Sequence, residues 1–367
     1  MKYYLLNILL VFLLNSNFIL AKEILDKKNI EYKSYLLGDE KGNVFLGENI
    51  KEKMPLASLT KMMTLLVTFD FIESGKIKKE DLVIMDEESN SLGGSRIWIK
   101  TGTKISVKDL IKATAIHSAN NAAYVLAKYV GHGDVNKFVG LMNEKAKKLG
   151  IGEELNYYTP TGLPPSMTGK NMDIGTSEGI YKLSKEALKC KEYIKIASQK
   201  KEKILKGQIS FKNRNKLLGK EGIYGIKTGH HDAAGYNIAI ASKNNNMNII
   251  YVILGSPDEK TRDEKVETDI SDFYNDFKHE VILRKDVPLA VIKIKKGTEQ
   301  FLEVYPDKEV EKIYSKDKKV KIILKLDGEI HAPIEKMEKI GEFELFLDGK
   351  KINEGYIISR DRIIKKK

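Results

Sequence analysis

The chain has 367 residues, a length that suits two domains of ordinary size. Hydrophobic residues at 42%, charged residues at 31% and only 8 prolines give a globular composition and exclude disordered, collagen-like and low-complexity classes. A single cysteine, Cys190, excludes an internal disulfide framework and any multi-thiolate metal site, and the six scattered histidines offer no pair at i,i+4 for a helical metal site. The net charge is +12, but 57 of the 63 basic residues are lysine, spread along the chain without the arginines that nucleic-acid readers use. That leaves either a compositional bias or attraction to an anionic surface such as membrane or cell wall, and no nucleic acid is expected as a partner.

Residues Met1–Ala21 combine a lysine, a mostly apolar run from Tyr3 to Leu14 and a terminal alanine, the pattern of a signal peptide. The unbroken apolar part, Ile8–Leu14, is far shorter than the ~20 residues that span a bilayer. The rest of the chain is therefore expected to be exported, to the periplasm or the wall side of the cytoplasmic membrane.

Ser34–Gly47 reads as two strands around a turn at Asp39–Gly42. From Ser58 to about Ser74, apolar residues at Met62, Leu65, Leu66, Phe69 and Ile72 predict a helix. Asp109–Val130 is helix-forming with a polar break at His117–Asn121, and Asn136–Leu149 is a second amphipathic helix closed by Gly150. Gly225–Thr228 leads into a hairpin of Tyr236–Ala241 and Asn248–Leu254, and Asp258–Phe277 predicts one long charged helix. Beyond Leu283 the texture changes to short Val/Ile/Leu-rich runs at Val287–Ile294, Val320–Leu326, Phe343–Leu347 and Gly355–Ile358, separated by Lys/Asp/Gly turns. A catalytic unit over 22–282 and an all-β domain over 283–367 are expected.

Three short motifs stand out. Ser58-Leu59-Thr60-Lys61 places a hydroxyl and an ammonium three residues apart, on one helix face. A lysine whose charge is disfavoured by burial or by a second cation serves as the base that activates such a serine. Ser118-Ala119-Asn120 puts a hydroxyl and an amide in the helix break. Lys227-Thr228-Gly229 joins a cation and a hydroxyl at the start of a strand, with glycine clearing the strand edge. The adjacent His230 and His231 point to opposite faces of a strand, so no metal is expected there. Each motif alone is a weak signal; their order and spacing together are specific.

On these residues the chain resembles the serine penicillin-binding proteins and β-lactamases. It is most similar to the D-alanyl-D-alanine carboxypeptidases of the low-molecular-weight penicillin-binding proteins. Pro55–Ser58, Gly94–Trp98, Phe138–Leu149, Thr159–Leu163, Asn213–Leu218 and Gly225–Tyr236 extend the likeness over about 34–280. The resemblance implies an α/β fold: a β-lactamase/transpeptidase-like domain, with an antiparallel sheet flanked by helices plus an α subdomain, followed by a small all-β domain. It further implies Ser58 as nucleophile, Lys61 as its base and Ser118 as proton relay to the leaving amine. Asn120 would hold the substrate amide, while Lys227, Thr228 and Arg214 would bind its terminal carboxylate. The backbone N–H groups of Ser58 and His230 would form the oxyanion hole. The partners implied are a peptidoglycan stem peptide as substrate and β-lactams as covalent inhibitors, with no cofactor and no metal.

The chain departs from the usual family pattern at Ala119 and Asn121, where Gly and Asp are customary. It also ends in a short basic run, Arg360–Lys367, attractive to an anionic surface but too short for an interfacial helix. Two rival enzymes share the fold, a β-lactamase and a peptidoglycan DD-endopeptidase; a non-catalytic wall-binding module is a third reading. Against the lactamase, Gly152 stands four residues before Asn156, where class A enzymes carry the deacylating glutamate. Against the non-catalytic module, every motif residue is present.

Overall fold

The computed structural model describes residues 32–367, and the signal peptide expected at 1–21 lies outside them. The described residues form two compact units, the first through Ile270 apart from three hairpin residues, and the second from Ser271 onward.

The first unit is built on a five-stranded antiparallel sheet. Its strands are β1 (Ser34–Asp39), β2 (Val44–Glu48), β3 (Ile223–His231), β4 (Gly235–Asn244) and β5 (Met247–Ser256), in spatial order β3-β4-β5-β1-β2. The central strand β5 is buried on both faces over Ile249–Leu254 and reads as an unbroken apolar run for that reason. The Lys227-Thr228-Gly229 motif falls on β3, the sheet edge, where a ligand can reach the free side of the strand.

Helix α1 (Lys61–Glu73) is the centre of the helical layer. Met62, Met63, Leu65, Leu66, Val67 and Phe69 are all buried, so this helix is apolar all round and not a one-sided surface helix. Each fully buried Leu or Met contributes roughly 1.5–3 kcal/mol, which anchors the first turn of α1 in the core. The helix-forming stretch over 109–130, with its expected break at His117–Asn121, is two helices, α2 (Val107–Ile116) and α3 (Asn120–Val130). Ser106 caps α2 by accepting the Asp109 N–H at 3.1 Å. The break is enforced at Ser118, whose φ of 63° is left-handed and incompatible with a continuing helix. Helices α4 (Val135–Lys148) and α5 (Ser177–Lys189) complete the layer; Ser34 Oγ on β1 donates to Ser177 Oγ at 2.7 Å. Helix α6 (Glu259–Asp276) is the expected long charged helix. Among the described residues no helix is long and apolar enough to cross a membrane.

The second unit is all-β. It holds β6 (Phe277–Leu283) paired with β9 (Val310–Ser315), and a five-stranded antiparallel sheet. The sheet comprises β7 (Ala290–Lys293), β8 (Phe301–Pro306), β10 (Val320–Leu326), β11 (Lys339–Leu347) and β12 (Lys350–Ser359), in order β7-β8-β12-β11-β10. Leu302, Val304, Phe343, Leu345 and Ile357 form its core. Strand β6 begins before the expected boundary at 283. Its residues, Phe-Lys-His-Glu-Val-Ile-Leu, are mostly half-exposed, so the alternation that marks a strand is blurred. The basic terminal run is tied down by bridges between Ile334 and Ile363 and between Gly297 and Lys365.

Candidate active site

Ser58 sits in a tight 3₁₀ turn, Ala57–Thr60, directly ahead of α1. In such a turn residues i and i+3 eclipse, which brings Lys61 Nζ to 2.8 Å from Ser58 Oγ. Lys61 is completely buried, and its Nζ also donates to Asn120 Oδ1 at 2.7 Å and to the Thr161 carbonyl at 2.5 Å. Burial pushes this amine down to about 7, partly opposed by the negative charge of Asp173. The sequence allowed either burial or a second cation as the cause; removal from water is the one that lowers it here. An amine half-neutral near pH 7 can accept a proton from the hydroxyl beside it.

Ser118 and Asn120 come from the α2–α3 break. Ser118 Oγ accepts from Lys227 Nζ at 2.8 Å, a contact between residues 109 positions apart. Lys227 is 2% exposed and its second bond goes to the Thr228 carbonyl. Its pKa is driven well below the ordinary lysine value, first by burial and then by the charges of Lys61, Arg214 and Arg262. Lys227 is therefore a buried lysine hydrogen-bonded to Ser118, which itself lines the cleft. Asn120 spends Oδ1 on Lys61 and one amide hydrogen on the Gly93 carbonyl, at 2.7 Å. Asn121, where an aspartate was the usual residue, donates to the Ile97 carbonyl and Asn90 Oδ1 and accepts from the Ile97 N–H. A carboxylate has no hydrogen for those two donations.

A cleft of about 760 Å³ opens over these groups, lined in part by Ser58, Ser118, Arg214, Thr228, Gly229 and His230. Gly229 is a steric requirement: a Cβ there would lie 2.9 Å from the Leu56 carbonyl and 3.1 Å from the N atoms of Ser58 and Leu59. The serine turn thus presses directly on β3, one residue before His230. The His230 ring stacks on Tyr236 with centroids 3.8 Å apart. Arg214 also lines the cleft and is exposed; its Nη2 donates to Ser95 Oγ at 3.1 Å and its backbone N–H to the Ile116 carbonyl.

Four residues that the sequence reading did not single out help to build this site. Arg262 on α6 lines the cleft, 2% exposed, paired with Asp263 at 2.6 Å. Asn237 on β4 donates to the Pro55 and Leu56 carbonyls and accepts the Gly255 N–H, fastening the serine turn to the sheet. Gly162, at φ 76°, abuts the Ala57 carbonyl, and Asp173 is buried behind the turn. None of them has a local periodicity or spacing signal, although Gly162 falls inside the Thr159–Leu163 segment that carries the resemblance. The Glu153–Asn156 stretch is engaged elsewhere, Glu154 with Lys182 and Asn156 with Lys53.

A serine turn pressed on a sheet edge, with two buried lysines each bonded to a serine, defines a serine acyl-transferring enzyme of the penicillin-binding class. The chain belongs to the D-alanyl-D-alanine carboxypeptidase family, whose pattern it matches over residues 21–258, and residues 277–364 match the penicillin-binding protein 5 C-terminal domain. It is 30% identical to the D-alanyl-D-alanine carboxypeptidase DacF of Bacillus subtilis, over 89% of this chain and 84% of that one. To DacA of Escherichia coli it is 29% identical over 89% and 82%. Among solved structures, penicillin-binding protein 5 from Haemophilus influenzae superposes with a TM-score of 0.69 at 27% identity, covering 92% of this chain and 98% of that one. Penicillin-binding protein 6B from Escherichia coli gives 0.72 at 24% identity, over 90% and 96%, a likeness of fold.

Proposed function

We propose that this protein is an exported serine-type D-Ala-D-Ala carboxypeptidase that trims the terminal D-alanine from peptidoglycan pentapeptides and is acylated by β-lactams. The observation that carries the reading is Lys61: a buried amine, titrating near neutrality, 2.8 Å from Ser58 Oγ. Family membership supplies the substrate class.

In this reading Lys61 takes the Ser58 proton as Oγ attacks the penultimate D-alanine carbonyl. The backbone N–H groups of Ser58 and His230 face the resulting oxyanion, and Asn120's remaining amide hydrogen meets the substrate amide. The C–N bond then breaks; Ser118 passes a proton to the departing D-alanine nitrogen and is re-supplied from the neighbouring lysines. Water, deprotonated by the same base, hydrolyses the acyl-Ser58 ester and releases the shortened peptide. Thr228 and Arg214 contact the leaving carboxylate directly. Lys227 acts through Ser118 and its charge.

The test is Ser58→Ala. It removes the oxygen that carries the acyl group in this reading, so labelling by a fluorescent penicillin and D-alanine release should both vanish. Labelling that survives moves the nucleophile elsewhere and overturns the reading. Rapid nitrocefin turnover by the wild type would favour the β-lactamase, and cleavage of cross-linked dimers faster than pentapeptide would favour the endopeptidase.

A further inference from the structure

Asp173 is 1% exposed and stands in the segment that leads into α5. Its carboxylate accepts from Tyr158 N at 2.5 Å, Thr159 N at 2.9 Å, Thr159 Oγ1 at 2.6 Å and Thr60 Oγ1 at 3.2 Å. Burial raises the pKa of this carboxyl group, and the four hydrogen bonds it accepts work against that by favouring the ionised form. Its main-chain carbonyl accepts the Leu56 N–H at 2.9 Å. Such a buried charge is costly unless every lone pair is used, and here they are used on two segments that flank the Ser58–Lys61 pair.

One segment is the serine turn itself, held at Leu56 and Thr60. The other is the Thr159–Gly162 turn. Thr159 Oγ1, oriented by Asp173, accepts in turn from Gly162 N at 2.9 Å and Thr161 N at 3.3 Å. That turn presents the Thr161 carbonyl to Lys61 Nζ. It is wedged so closely that a Cβ on Gly162 would fall 1.8 Å from the Ala57 carbonyl oxygen.

We propose that Asp173 is a positioning residue for the Ser58–Lys61 pair, setting through Thr60 and the Thr159–Gly162 turn where Lys61 Nζ stands relative to Ser58 Oγ. The proposal rests on the roles given above to Ser58 and Lys61. The same carboxylate opposes the effect of burial on Lys61, keeping the amine basic enough to take a proton. The other titratable groups around Asp173 and the pair are the fully buried Tyr157 phenol, raised by burial and by Asp173, and Lys227, lowered by burial and then by the charges of Lys61, Arg214 and Arg262.

The experiment measures the rate of Ser58 acylation by a fluorescent penicillin from pH 5 to 9 in wild type, Asp173→Asn, Thr159→Val and Thr159→Ser. Asp173→Asn keeps the shape but replaces an acceptor with a donor that faces other donors, and it removes the charge. Its rate should fall by about tenfold or more. Its acidic limb should also move to lower pH, because Lys61 loses the negative charge that favours its protonated form. Thr159→Val cuts the link while leaving the charge, so the rate should fall with no downward movement of the limb. Thr159→Ser, which restores the hydroxyl, should recover it. A limb that stays in place in a folded Asp173→Asn protein, or a Thr159→Val protein that acylates at the wild-type rate, overturns the proposal. If Asp173→Asn does not fold, the Thr159 pair decides. Absence of labelling in the wild type would instead refute the proposed function, so the two failures are distinct.

Discussion

Gly229→Ala tests the contact on which the whole site is assembled. The added Cβ would sit 2.9 Å from the Leu56 carbonyl and 3.1 Å from the N atoms of Ser58 and Leu59. All three are backbone atoms, and Leu56 is further held by Asn237, so no side chain can swing aside to make room. Relief requires β3 and the serine turn to separate by several tenths of an ångström. Ala is favoured over Gly by about 0.4–1 kcal/mol through the unfolded chain, whereas overpacking of this kind costs about 1–3 kcal/mol. The clash wins, with a net loss of about 1–2 kcal/mol and a fall in the melting midpoint of about 3–6 °C. The catalytic cost should be larger, because a misplaced N–H donor at a developing oxyanion costs about a hundredfold or more. Fluorescent-penicillin acylation and thermal melts are the assays. Gly140→Ala is the control: it lies on the exposed face of helix α4 with nothing near its added Cβ, so it should gain up to about 1 kcal/mol and acylate normally. A Gly229→Ala protein that acylates at the wild-type rate would refute the steric argument and the oxyanion hole built on it.

Two further predictions concern charge. Because burial brings Lys61 down to about 7 and the proposed base acts when neutral, acylation should rise with pH through that value and level off above it; a rate that climbs only near 10 would show an ordinary lysine. Lys61→Arg, permanently protonated, should lose about 10²–10⁴-fold, and wild-type acylation by that variant would contradict the base role. Arg214→Ala should shrink the preference for a free-acid D-Ala-D-Ala peptide over its amide by about 10- to 150-fold, the worth of a charge-assisted contact of about 1.5–3 kcal/mol. The comparison is D-alanine against D-alaninamide release, and equal preference in both enzymes removes Arg214 from carboxylate recognition.

Local pattern was enough wherever the chemistry is made by neighbours in the chain. The three-residue spacing of Ser58 and Lys61 is a turn's own geometry, and the polar patch at His117–Asn121 marked a helix break that the left-handed Ser118 enforces. The long helix after residue 258 and the main strands of the first unit were likewise legible, because burial on one or both faces leaves a period of 3.6 or 2, or an unbroken apolar run. In the second unit, β6, β8 and β9 escaped: lysine and glutamate at half-exposed positions blur the alternation of β6 and β9, while β8 alternates in burial but carries Phe301 and Tyr305 on its less buried side.

The sequence by itself determined which groups are the candidates for chemistry: a serine and a lysine three residues apart, a second serine in a break, a lysine and threonine on a strand. Only the tertiary structure decided what those groups are worth. Burial of Lys61 at 0% exposure sets its proton affinity, and burial is a property of everything packed around it. Folding across 109 residues set Lys227 against Ser118, and brought Asp173 behind the serine turn and Arg262 into the cleft. No periodicity announces such contacts, because they depend on which surfaces meet, and a carboxylate or glycine at a meeting point looks locally like any other.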